Sequence, residues 1–119
     1  MDGWEYRSFS PNELAICPCC DKLKRDDIFF GTLQMCRDLY NSPMSITSGY
    51  RCPKHNEAIG GSLTSSHLKA CAADISATSP QHLSQLMKVL PTFFDRIGVA
   101  KNFIHVDSDR AKPEALWTY

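Results

Sequence analysis

The sequence predicts an α+β fold, a small antiparallel sheet packed with helices. Two amphipathic helical patterns, at 26–40 and 79–90, carry their own start and stop signals. Two short β-rich runs, 95–99 and 103–107, flank a tight turn around Lys101-Asn102. At 119 residues, a single domain spanning 1–119 is expected, because two domains would each be too short to close a core.

The elements follow in order. Residues 10–16 read as one helical turn, with Ser10 capping and Pro11 at the first helical position, where its missing N–H costs nothing. Residues 26–40 read as the main helix. Phe29, Leu33, Cys36 and Leu39 or Tyr40 recur at three-to-four spacing, and Asp26 and Asp27 suit its positive end. Asn41-Ser42-Pro43 ends it. Met44 to Thr47 reads as a short strand leading into a loop, and Pro53 to Ile59 as a second helix stopped by Gly60-Gly61. Residues 62–70 are a polar loop, and Ala72 to Ser76 a strand of small residues. Ser79 caps a third helix with Leu83, Leu86, Met87 and Leu90 on its buried face, closed by Pro91.

Composition narrows the function classes. Lys plus Arg equals Asp plus Glu at 13 each, without the basic excess of a nucleic-acid binder. The K-L-K-R run at 22–25 meets Asp26 and Asp27 at once and reads as a solvated helix start. No apolar stretch reaches the roughly 18 residues that span a bilayer. The N-terminus lacks a basic region followed by an apolar run. The expectation is cytoplasmic synthesis without a signal peptide, or a chain that starts after a removed leader; no membrane association and a monomer are expected.

Cysteines are Cys17, Cys19, Cys20, Cys36, Cys52 and Cys71. Cys36 falls on the apolar face of the main helix and reads as a small buried hydrophobe. Cys17 and Cys20 have the C-x-x-C spacing of a structural zinc site, yet no second such pair exists; Cys52 and His55 are the nearby candidates. Free thiols, a disulfide such as Cys17 or Cys20 to Cys52, and a structural metal all remain open.

Three segments carry chemistry: S-G-Y-R at 48–51, S-H-L-K-A-C-A-A-D at 66–74 and F-I-H-V-D at 103–107. They supply His67, Asp74 and His105, two imidazoles and a carboxylate, beside Arg51. That donor set makes an open zinc site with a fourth position left for water. In the last strand side chains alternate, so Ile104 and Val106 face the core while Phe103, His105 and Asp107 share the other face. A serine or cysteine hydrolase has little support, since no G-x-S-x-G elbow is present.

The order S-G-Y-R-C-P-x-x-N, then G-G, then S-x-H-x(6)-D, then F-I-H-V-D resembles the zinc D-Ala-D-Ala carboxypeptidase and murein endopeptidase family. That family has the hedgehog/DD-peptidase fold, and the nearest flavour is its small bacterial and phage branch, which includes endolysin-like proteins. The resemblance runs from the F-S-P-N-E-L segment near residue 9 to Trp117. It implies Zn2+ held by His67, Asp74 and His105, and Arg51 pairing with a peptide carboxylate, a task suited to a guanidinium fork. Ser66 is implied as a substrate or supporting hydrogen-bond partner. The implied substrates are stem or crossbridge peptides of peptidoglycan, cut by a carboxypeptidase or endopeptidase acting at the cell wall or periplasm once released.

Two positions depart from the family pattern. Ala70 replaces the glycine of H-x-x-G, a substitution with a cost if that backbone needs a positive φ. Asn102 stands where many relatives carry a glutamate general base. Asp107 is the replacement candidate as catalytic base, with His55 a second one; the competing role for Asp107 is a carboxylate that orients a ligand imidazole. A zinc-containing domain that binds peptidoglycan or protein without cutting, within a phage or prophage structural protein, is the alternative function.

Overall fold

Strands β1 (Ile46–Ser48), β2 (Ala72–Ser76), β3 (Arg96–Val99), β4 (Phe103–Asp107) and β5 (Ala115–Thr118) form one sheet in the order β1-β2-β4-β3-β5. This is the arrangement in the computed structural model, which describes residues 3–119. The β1–β2, β2–β4 and β4–β3 pairs are antiparallel, and β5 joins the edge beside β3 in parallel. The sheet is thus mixed rather than wholly antiparallel. β5 has little local signature: Leu116 is largely exposed and only Ala115 and Trp117 are partly covered. A parallel partner is chosen by tertiary contact and not by a hairpin turn.

The main helix α2 (Asp27–Tyr40) forms where its periodicity places it. The Asp26 carboxylate accepts from the Phe29 N–H at 3.0 Å, satisfying one of the free donors of the first turn. Asn41, at φ 53°, ends the helix in the left-handed region. Its inner face buries Phe29, Phe30, Leu33 and Cys36 completely; each large side chain stabilises by about 1.5–3 kcal/mol relative to exposure. The K-L-K-R run is not the helix start. Leu23 bridges to Ile16, and Arg25 pairs with Asp27 at 2.6 Å while lying 5.3 Å from the Trp4 ring centre.

Short helices α1 (Pro11–Leu14) and α3 (Pro53–Ala58) and a 3₁₀ turn at Ser66–Lys69 occupy the loops around the sheet. The 3₁₀ turn lies in the stretch expected to be loop. Helix α4 (Pro80–Met87) is capped by Ser79, whose hydroxyl accepts from the His82 N–H at 3.1 Å. Pro91 does not close that helix. Helix α4 ends at Met87, a turn at 88–89 follows, and Pro91 sits in the first turn of α5 (Leu90–Phe93), where a missing N–H is harmless. The inner faces of α2, α4 and α5 and one face of the sheet share a continuous core with Leu86, Leu90, Ile104 and Val106.

Candidate metal centre

β4 places the histidine of F-I-H-V-D directly opposite the aspartate of β2. Asp74 and His105 are register partners across the antiparallel pair, and the chemistry-bearing side chains fall on the face away from Ile104 and Val106. The third group arrives from the 3₁₀ turn. Ser65 caps that turn by accepting from the His67 N–H at 3.2 Å, and Ala70 closes it at φ 62°. The glycine-like backbone expected at Ala70 is therefore real. Its left-handed geometry costs a side chain about 1–2 kcal/mol, offset in part by complete burial of the methyl group.

The three groups converge. Asp74 Oδ1 is 3.2 Å from His67 Nε2 and 3.0 Å from His105 Nδ1. Ligands about 2.0–2.1 Å from a tetrahedral zinc stand roughly 3.3 Å apart, so the donor set fits that ion. The tautomers fit as well. His67 Nδ1 lies 2.7 Å from the Gly49 carbonyl oxygen, which can only accept, so Nδ1 carries a proton and Nε2 is the nitrogen turned to Asp74. His105 Nε2 likewise donates to Asp107 Oδ2 at 2.7 Å, freeing Nδ1. Two imidazole nitrogens thus point at one carboxylate oxygen, an arrangement that suits a shared cation. Burial opposes ionisation of Asp74, yet the His105 and His67 rings hold its carboxyl well below the usual carboxylate range.

Gly49 is needed for this geometry. A Cβ there would lie 2.1 Å from the Glu13 carbonyl oxygen and 2.8 Å from Leu14 Cα. Gly98, the register partner of His105 in β3, makes room differently: a Cβ would strike the Trp117 indole at 2.4 Å. That indole stands 5.5 Å from the His105 ring, centre to centre.

Asp107 is enclosed. Its Oδ2 takes the His105 proton, and its Oδ1 accepts from Arg96 Nε at 2.8 Å and the Asp109 N–H at 3.0 Å. Arg96 is its register partner in β3 and stacks over Trp117 at 5.1 Å. Asp107 thus meets the ring nitrogen of His105 that faces away from Asp74. Arg96 escaped sequence reasoning; only the β3–β4 register pairs it with Asp107.

Arg51 lines the same cleft as the triad, a volume of about 360 Å³ that also exposes Ser65, Trp117 and Tyr119. Its Nη2 donates to Ser65 Oγ at 3.3 Å, and its buried Nε has no hydrogen-bond partner. Among the described residues no carboxylate pairs with Arg51, and burial lowers its pKa. Ser66 lines the cleft too. Its buried hydroxyl donates to Asp109 Oδ2 at 2.8 Å, and Lys69 holds the other Asp109 oxygen at 2.8 Å. His55 does not line this cleft, and Asn102 is exposed in the β3–β4 turn.

The family model described as Peptidase M15 matches residues 7–107. No curated protein matches the chain.

Proposed function

The chain belongs to the Peptidase M15 family of metallopeptidases, and on that premise we propose that it hydrolyses peptides of the bacterial cell wall with a zinc ion at His67, Asp74 and His105. The observation that carries this reading is the convergence of three ligand atoms: His67 Nε2 and His105 Nδ1 both face Asp74 Oδ1 within 3.2 Å. Bound there, zinc supplies Lewis-acid polarisation of a carbonyl and acidification of a water.

The chain's own residues do the rest. Arg51 holds a substrate carboxylate; its Nε is unpartnered and no carboxylate among the described residues pairs with it, which leaves the guanidinium fork for two parallel hydrogen bonds. Trp117 and Tyr119 form an apolar wall beside His105. Asp107, anchored by Arg96, keeps the His105 proton on Nε2. The stem or crossbridge peptides of peptidoglycan supply both the amide and a nearby carboxylate.

A second reading has one observation behind it. Asp107 is fully engaged, and apart from Asp74 no other carboxylate lines the cleft. A centre that binds zinc and cell-wall peptide without cutting would look the same. Hydrolysis of purified peptidoglycan, followed by release of new amino groups, separates the two. Turnover abolished by a chelator and restored by zinc supports the peptidase. Stoichiometric zinc with peptide binding and no turnover supports the binder and sinks the peptidase.

A further inference from the structure

A second cluster of metal-ligating groups lies apart from the His–Asp–His centre. The sulfurs of Cys17, Cys19, Cys20 and Cys52 all lie within 4.8 Å of one another. Cys17 and Cys19 are 3.6 Å apart, and Cys52 is 3.5 Å from both Cys19 and Cys20. We propose that these four thiolates hold a structural zinc ion that clamps the N-terminal segment to the loop carrying Gly49 and Arg51.

Geometry favours a metal over a disulfide. Four sulfurs about 2.3 Å from a tetrahedral zinc stand roughly 3.8 Å apart, close to the spacing observed. A disulfide would draw one pair to about 2.05 Å and leave two thiols beside it without a role. The backbone is shaped for thiolates. The Cys52 N–H points at Cys17 Sγ at 3.3 Å and the His55 N–H at Cys52 Sγ at 3.4 Å. The C-P-C-C segment turns back on itself: Asp21 adopts φ 57°, its N–H donates to the Cys17 carbonyl at 3.1 Å, and the Cys17 N–H donates to the Lys22 carbonyl at 2.8 Å. That turn is closed by the Ile16–Leu23 bridge and presents three sulfurs to one point. Binding releases the thiol protons as the zinc–sulfur bonds form.

The fourth ligand explains what the ion would do. Cys52 follows Arg51 directly, and the Tyr50 N–H bonds the Leu14 carbonyl at 3.0 Å. Gly49 accepts from the His67 ring, and the Arg51 N–H donates to the His67 carbonyl at 3.1 Å. A zinc on Cys52 would therefore fix the loop that orients one ligand of the other centre and aims the arginine.

X-ray absorption at the zinc edge, on protein purified under reducing conditions and saturated with zinc, tests the site. The expected spectrum of the wild-type protein contains a sulfur shell near 2.3 Å; a shell of nitrogen and oxygen alone overturns the proposal. The His67→Ala variant should fall from two zinc ions per chain to one and keep a spectrum of four sulfurs. Folded His67→Ala protein that holds no zinc also overturns it. Cys20→Ser and Cys52→Ser should lose the sulfur-bound zinc. If those variants fail to fold, thiol reagent titration of the folded wild-type chain decides: zinc should protect the two exposed thiols, Cys19 and Cys20, from reaction, and equal reactivity with and without zinc overturns the site.

Discussion

His105 Nε2 and Asp107 Oδ2 lie 2.7 Å apart on one strand, two residues from each other, with both side chains buried. The pair turns the imidazole so that Nδ1, not Nε2, meets Asp74. It also separates two roles for Asp107, base or orienting carboxylate, by what each would disturb.

If Asp107 orients the ring, Asp107→Ala should weaken zinc binding at the His–Asp–His centre by about 10–100-fold. Asp107→Asn should recover only part of that affinity: its amide oxygen can still accept the His105 proton, but its NH2 then faces the Arg96 and Asp109 donors. Zinc titration against a competing chelator, alongside kcat at saturating zinc, reads the result. Unchanged zinc affinity with lost turnover in both variants would instead make Asp107 the base.

Arg51→Lys should raise KM for peptides bearing a free carboxylate by roughly 10–100-fold, the worth of a charge-assisted pair at about 1.5–3 kcal/mol. Zinc content should not change, since Arg51 holds no metal. Peptides whose carboxylate is amidated should show no difference between wild type and variant. An equal penalty on both substrates would dismiss the carboxylate contact.

Gly49→Ala forces a Cβ against backbone atoms at 2.1 and 2.8 Å, which a side-chain rotation cannot relieve. Stability should fall by about 1–3 kcal/mol in chemical unfolding. Zinc affinity should fall too, because the carbonyl that sets the His67 tautomer moves with the loop. A variant with wild-type stability and zinc affinity would show that the loop gives way freely.

Asp109 provides the pH test. Burial works against its ionisation, but the Lys69 ammonium, the Ser66 hydroxyl and the Ala111 N–H bring its carboxyl down to about 2. A depressed folded-state pKa contributes stability above the unfolded value and loses it as pH falls through the folded one. The advantage of wild type over Asp109→Asn should therefore be full above pH 3.8 and fade toward pH 2. Urea unfolding at several pH values measures it, and a constant gap across that window would contradict the assignment.

Much of the fold is local enough to be legible in the chain. Helix α2 announces itself because Asp26 sits where a first-turn N–H needs an acceptor and Phe29, Leu33 and Cys36 repeat at helical spacing. Strand β4 does so because Ile104 and Val106 alternate with His105 and Asp107. Pro91 misleads for an equally local reason: proline ends one helix and starts another with the same missing N–H, and only packing selects between them.

The identity of the chemistry-bearing groups was written in the order of the residues, since two imidazoles, a carboxylate and an arginine admit few kinds of site. Tertiary structure decided what each group meets. The β2–β4 register set Asp74 opposite His105, the β3–β4 register gave Asp107 to Arg96, and the loop at Gly49 chose the nitrogen that His67 presents. Four sulfurs separated by as many as 35 positions likewise met only through the fold. Hydrogen-bond caps and side-chain periodicity depend on neighbours a few residues away, whereas a ligand atom's direction depends on partners that only folding brings near.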